Sequence, residues 1–295
     1  MKEENILLNK QNIEDYFILN NYHKIPKLGL GTFNSKNLST IAKESYKIGY
    51  RLFDTSSAYG TEKDLANGLW NGLFPVCKRE DVYITTKLFL DHCFRKSEYT
   101  GLKKSLKQLR TSYIDNYLLH WAHPDVFIKN YKEMEKFYHD GLVRNIGVCN
   151  MNVPLLEKLL NECEVVPAIN QIEVTPIFTQ SEIQAYCQKH NILVMAYTPF
   201  ARMHEKLFTN KKLIELSKKY DKKITQIILR WNIQQGRCVI PKTSNVSRLY
   251  DNANVYDFEL SNEDLISIDE MNQNFRVRYA PDKYPIEWRK NNAKA

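Results

Sequence analysis

What most constrains this chain is a repeat of pattern rather than of residues. Short apolar or β-branched runs at 27–32, 50–54, 82–87, 114–120, 144–149, 168–174, 193–198 and 238–242 are each followed by a segment with helical spacing. Those segments fall near 39–48, 60–72, 97–110, 126–140, 153–162, 179–189, 224–235 and 261–270. Strict alternation of this kind predicts parallel strands joined by crossover helices. The strands are apolar nearly end to end, as strands covered on both faces must be. Eight repeats within 295 residues favour an α/β chain closed into a single (β/α)8 TIM barrel over an open sheet. A short β-hairpin is expected ahead of the repeat, with arms at 16–19 and 22–25 about Asn20-Asn21. An extra helix near 209–219 and a tail from about 272 to 295 lie outside the repeat. No linker or shift of composition divides the chain, so residues 1–295 read as one domain.

Composition narrows the function. Apolar residues at 43% and charged residues at 26% fit a soluble globular protein with a large core. The net charge of +8 is scattered over helix-like segments such as Lys103, Lys104 and Lys107. It forms no basic block with interleaved aromatics, so nucleic acid is not an expected partner. The six cysteines include no CxxC pair and read as reduced, mostly buried side chains rather than a disulfide framework. His120 and His123 lack companions at metal-ligand spacing, so no metal is expected. The first residues carry acids and no long apolar stretch, and no run approaches the ~18 residues of a membrane span. A cytoplasmic protein without a membrane partner is expected.

In a parallel barrel the C-terminal ends of the strands converge over the ligand. The second predicted strand ends at Asp54, with Tyr59 on the turn that follows; the third ends at Lys87, and the fourth at His120 and Trp121. A lysine closing a run of Val, Tyr, Ile and Thr must be paired or exposed. Tyrosine is a poor acid near neutral pH, with a free pKa of about 10, unless a cation helps it. Lys87 is therefore expected to acidify Tyr59, with Asp54 holding Lys87 and His120 orienting a substrate oxygen. Such a group can protonate a carbonyl oxygen but cannot deliver a hydride, so a redox cofactor is implied.

The chain resembles the aldo-keto reductase family over nearly its whole length. The resemblance rests on GYRLFDTSSAYGTEKDLA at 49–66, GVCNM at 147–151 and IPKTSNVSRLYDN at 240–252. Asp54, Tyr59, Lys87 and His120 fall where that family carries its catalytic tetrad. The resemblance implies NADPH, bound across the barrel mouth without a glycine-rich phosphate loop. It implies that Cys149, Asn150 and Gln171 contact the nicotinamide carboxamide and that Tyr197 stacks on the ring. It implies that Lys242, Thr243 and Arg248 hold the ribose 2′-phosphate and that Asn252 faces the adenine. Two cations and a hydroxyl also suit a phosphate monoester on physical grounds, which favours NADPH over NADH.

Some positions depart from the family pattern. Ala66 replaces a usual Gly, Ala122 a Pro, and Met151 an aromatic. Phe33 and Trp121 are expected to wall the substrate. Short loops after His120 and at 200–208 predict an open pocket for small aldehydes, ketoaldehydes or diketo sugars. Arg276 and Arg278 in the tail either favour an anionic substrate or are simply solvated. The reading is an NADPH-dependent carbonyl reductase, monomeric as the family usually is. Two rivals stand beside it: a cofactor-sensing regulatory subunit of the same fold, and a barrel lyase using Lys87 as a Schiff base.

Overall fold

The computed structural model describes residues 15–71 and 76–292. A hairpin of β1 (Tyr16–Ile18) and β2 (Lys24–Pro26) precedes the barrel. Eight parallel strands follow: β3 (Gly29–Gly31), β4 (Leu52–Asp54), β5 (Tyr83–Leu88), β6 (Ile114–Leu119), β7 (Val143–Cys149), β8 (Ile169–Glu173), β9 (Leu193–Tyr197) and β10 (Cys238–Val239). They pair in chain order, and parallel bridges from Leu28 to Val239 and from Gly31 to Lys242 close the ring. The first and last strands are shorter than expected, because closure there runs through these single bridges rather than a continuous ladder.

Helices cover the outside. They are α1 (Leu38–Ile48), α2 (Glu62–Ala66), α3 (Leu90–Arg95), α4 (Glu98–Leu109), α5 (Phe127–His139), α6 (Val153–Leu160), α7 (Ser181–Lys189), α8 (Glu205–Phe208), α9 (Lys211–Lys219), α10 (Ile224–Gln234), α11 (Val246–Ala253), α12 (Asn262–Asp269) and α13 (Tyr284–Asn292). The first shows the logic of all. Leu38, Ile41, Ala42, Ser45 and Tyr46 recur at three and four residues and form its buried stripe. Gly49, at φ 123°, ends it by turning its N–H onto the Ser45 and Tyr46 carbonyls.

Several helices differ from expectation, among them α3 and α8, which fall where loops were expected. The helix expected at 60–72 is α2 followed by a π-helical turn over Asn67–Asn71. There Gly68 touches α1 so closely that an added Cβ would collide with the Ser39 carbonyl oxygen. The third signature carries α11, capped by the Asn245 side chain on the Ser247 N–H. The tail carries α13. No helix among the described residues is long and apolar enough to cross a membrane.

Strand residues alternate between two cores. Phe53, Ile84, Tyr117, Ile146 and Val194 face the helices. Leu52, Leu118, Ile169, Met195 and Cys238 fill the barrel interior, and Leu19 and Ile25 of the hairpin segment join them. Ile25 is 0% exposed, whereas Ile18 on the same hairpin is 58% exposed. The interior is thus packed and apolar, which leaves the C-terminal ends of the strands for polar groups. Ile25→Ala is expected to cost about 2–5 kcal/mol in chemical denaturation. Ile18→Ala should stay within about 0.5 kcal/mol; equal effects would show that the hairpin does not share the barrel core.

Candidate active site

Period-two alternation aims the site residues. Leu52 fills the interior, so Asp54, two residues on, points the same way. Lys87 pairs in register with Leu118, another interior residue. The Lys87 ammonium is fully buried and donates to both Asp54 oxygens at 2.9 Å and to the Thr55 carbonyl at 2.8 Å. Those contacts, with a further hydrogen bond between Lys87 and the Tyr59 phenol, satisfy the ammonium. From across the barrel on β8, Gln171 Nε2 donates to Asp54 Oδ1 at 2.7 Å. Three donor contacts on two oxygens favour the ionised carboxylate, which accepts at both.

Burial alone would depress the Lys87 pKa; the charge of Asp54, with Tyr59 and Cys149 nearby, reverses this and holds it raised. Burial pushes the Asp54 carboxyl up, and it stays above the usual carboxylate range although the Lys87 charge and hydrogen bond and the Gln171 amide oppose the rise. An ammonium so held is not a nucleophilic amine, which argues against the Schiff-base reading.

Tyr59 sits on a single 3-10 turn, Ser57–Tyr59, that Ser56 caps and Gly60 ends at φ 68°. Ser57 Oγ ties this turn to the Lys87 carbonyl at 3.1 Å. The Lys87 Nζ lies 4.9 Å from the Tyr59 ring centroid. The net effect on the phenol differs from the sequence expectation. Loss of water pushes the Tyr59 pKa up to about 12; the Lys87 cation pulls it down but does not win. Lys87 thus limits the rise rather than bringing the phenol near neutrality, because the same burial that fixes the cation also desolvates the phenolate.

His120, at the end of β6, meets Tyr59 edge-on with centroids 5.6 Å apart. Burial first, then the charges of Lys87 and Arg278, hold its pKa well below the ordinary value, so the imidazole is neutral. Its Nδ1 lies 3.2 Å from Ser56 Oγ. That oxygen already accepts the Ala58 N–H at 3.2 Å. If the hydroxyl proton goes to Nδ1, Nε2 keeps its own hydrogen and is a donor. Sequence reading missed Ser56; its signal was a capping residue two positions after Asp54, which reads as turn chemistry alone.

These groups open onto a cavity of about 780 Å³ lined by Asp54, Tyr59, His120, Asn150, Gln171, Tyr197, Lys242, Thr243, Arg248 and Asn252, and by Phe33 and Trp121. The Tyr197 hydroxyl donates to Asn150 Oδ1 at 2.7 Å, and Asn150 Nδ2 donates to the His120 carbonyl at 3.2 Å. Asn150 holds φ 58°, a left-handed geometry that Asn tolerates better than most residues. Trp121 is buried, with its ring 4.4 Å from Tyr284 of α13. Phe33 stands 5.0 Å from the Tyr59 ring. Cys149 is the exception: it is buried beside Lys87 and is not among the residues facing the cavity. Burial pushes its thiol up, so it is inert.

Lys242, also in the cavity lining, donates to Ser244 Oγ at 2.9 Å. Burial and then the like charge of Lys36 lower its pKa, the condition of a cation crowded by another cation.

The cavity has a wall that the short loops did not suggest. After β9 the chain makes a 3-10 turn and α8, and Phe200, Arg202, Met203 and Phe208 wall the cavity. Thr198, Ala201, Arg202 and Met203 all hold positive φ. Such strain, worst for the β-branched Thr198, concentrates at functional segments. With no glycine in this stretch, nothing in the sequence announced it.

Comparison with known proteins agrees with this geometry. The model of the Aldo/keto reductase family matches residues 27–273. Glyoxal reductase of Bacillus subtilis (strain 168) is 35% identical over 274 residues, covering 92% of this chain and 98% of that protein. Methylglyoxal reductase DkgA of Escherichia coli (strain K12) is 36% identical over 264 residues, covering 88% and 94%. Among solved structures, MGS-M4, an aldo-keto reductase from a Medee basin deep-sea metagenome library, superposes with TM-score 0.86 at 33% identity, covering 91% of this chain and 99% of that one. An aldo-keto reductase complexed with NADPH superposes with TM-score 0.84 at 30% identity, covering 90% of each chain. With an eight-stranded barrel, a buried lysine–aspartate pair beside a tyrosine, and matches of this extent, the chain belongs to the aldo-keto reductase family of oxidoreductases.

Proposed function

We propose that residues 1–295 form one reductase domain that reduces aldehydes and ketones to alcohols with NADPH. The observation that carries this reading is the Lys87 ammonium, bonded at 2.9 Å to both Asp54 oxygens and 4.9 Å from the Tyr59 ring centroid, beside the cavity. Relatives named for glyoxal and methylglyoxal reduction support small dicarbonyl compounds as substrates.

The donor set fits a nicotinamide dinucleotide phosphate. Asn150 retains an amide N–H beyond the one given to the His120 carbonyl, and Gln171, whose Nε2 donates to Asp54 Oδ1 and Met195 Sδ, offers its amide oxygen as an acceptor; together these suit a carboxamide, and Tyr197 offers a ring face. Lys242, Arg248 and Thr243 suit a phosphate monoester, and Asn252 suits a base edge. When bound, the cofactor supplies the hydride.

The chain's own residues handle the oxygen. Tyr59 is protonated throughout the neutral range, since its pKa stands near 12, and its Oη gives the proton to the carbonyl oxygen. Lys87 stabilises the phenolate left behind, the state in which its charge matters most. Asp54 keeps Lys87 charged and in place. His120 is neutral and, as the Nε2–H tautomer, donates to the same oxygen and orients it. The aromatic walls and the segment at 200–208 exclude water, which strengthens each of these interactions.

Mixed with NADPH and methylglyoxal, the protein is expected to oxidise the cofactor. Tyr59→Phe should lower kcat by about 10²-fold or more while NADPH still binds, as read by fluorescence; undiminished turnover would remove Tyr59 as the acid. Lys242→Ala and Arg248→Ala are each expected to weaken NADPH binding by about ten-fold or more and to spare NADH. Equal loss for both cofactors would mean that these cations do not read the 2′-phosphate.

A further inference from the structure

The proposed proton donor stands on a turn that local structure does little to fix. Gly60 follows Tyr59 at φ 68°, with nothing packed where a side chain would be. The helix that comes next, α2, has five residues and no side-chain cap at its N-terminus. Two side-chain hydrogen bonds hold the segment instead, one on either side of the tyrosine. Two residues before it, Ser57 Oγ donates to the Lys87 carbonyl at 3.1 Å. Three residues after it, Glu62 Oε1 accepts the Thr86 hydroxyl at 2.7 Å. Thr86 and Lys87 are consecutive on β5. Ile84 of that strand packs among the helices, so Thr86, two residues on, points outward while Lys87 points into the barrel. The segment that carries the acid is therefore tied at both ends to the pair of residues that presents the cation.

Glu62 is an unusual group to find there. Both it and Thr86 are fully buried, and neither lines the cavity. Burial pushes the Glu62 carboxyl above the usual carboxylate range, although the Thr86 and Ser105 hydroxyls and then the charges of Lys104 and Lys87 oppose the rise. An apolar side chain would fill the same space without desolvating a carboxyl. Titratable groups displaced in this way gather near functional sites, and this one takes no part in the proton transfer itself.

We propose that Glu62 and Thr86 are positioning residues: their hydrogen bond, with that of Ser57, sets the Tyr59 hydroxyl beside the Lys87 ammonium and within reach of the substrate oxygen. This rests on the reductase reading above. A shift of about 1 Å in a reacting group is enough to lower a rate by about 10²-fold. Asn150, Lys242 and Arg248 lie on other strands and loops, so loss of the tie leaves the groups suited to the cofactor in place.

The test compares Glu62→Leu/Thr86→Val, in which both partners become apolar and neither is left unmet, with Thr86→Ser and Glu62→Gln, which keep the hydroxyl donor and the oxygen acceptor. The first readout needs no turnover. It is the ¹³Cζ resonance of Tyr59, identified by its absence in Tyr59→Phe. That resonance is expected to move in the double variant and to stay in place in the two conservative ones. With NADPH and methylglyoxal, the double variant should lose about ten-fold or more in kcat with NADPH affinity unchanged, and Thr86→Ser should keep most of the rate. Made in a Tyr59→Phe background, the same pair of substitutions should lower the rate no further. A Tyr59 resonance or a kcat unchanged in the double variant overturns the proposal, and so does a loss of kcat as large without the Tyr59 hydroxyl as with it. Should the double variant not fold, Thr86→Val alone supplies the same comparison. If the wild-type protein does not oxidise NADPH, the reductase reading falls, and the Tyr59 resonance still decides whether this tie places the phenol.

Discussion

The site depends on a charge that has been taken completely out of water. An ammonium in a barrel interior is tolerated only with an anion and full hydrogen bonding. Lys87 has both, in the two Asp54 oxygens and the Thr55 carbonyl. The pair comes from adjacent parallel strands, and Gln171 fastens it from the opposite side of the barrel. Because burial raises the stakes on every partner, removing any one would leave a buried group unsatisfied. That coupling makes the geometry rigid, and rigidity is what a proton donor beside it needs.

Around this pair the barrel is graded from apolar to charged. Leu52, Leu118 and Ile169 fill the interior, with Ile25 packed among them. Above them come the ion pair and the neutral amides, and then a cavity with Lys242 and Arg248 toward one part and Arg278 in its wall. His120 stays uncharged in this field because burial and two cations all oppose its protonation. A neutral imidazole can donate one hydrogen without adding repulsion toward a substrate, and the contact with Ser56 offers a way to choose which nitrogen carries it.

Much of this was legible in the sequence, for a physical reason. Strand alternation has a fixed period, so once Leu52 is assigned to the interior, Asp54 follows. A lysine ending an apolar strand must be exposed or find a carboxylate, and here it finds Asp54. Other features depend on what the chain packs against, and no local pattern records that. The Tyr59 phenol rises because desolvation outweighs Lys87, a balance set by the whole surrounding shell. The positive φ angles from Thr198 to Met203 occur without glycine, so tertiary contacts rather than residue type impose them. The helix Val246–Ala253 was hidden because its residues were read as a ligand motif, although Asn245 stands before it as a good N-cap. Cys149 was assigned to the cavity by the family resemblance, yet its side chain is buried beside the lysine pair.

The most direct test follows the ¹⁵Nζ resonance of Lys87 against pH. The carboxylate holds the amine's pKa above the free value, so the stabilisation from the pair is present at neutral pH and is lost only as pH rises past about 10. An ammonium shift that persists to about pH 10, and that disappears from its buried position in Asp54→Asn, is the expected result. A neutral amine already present near pH 7 would contradict the buried pair and, with it, the role given to Tyr59.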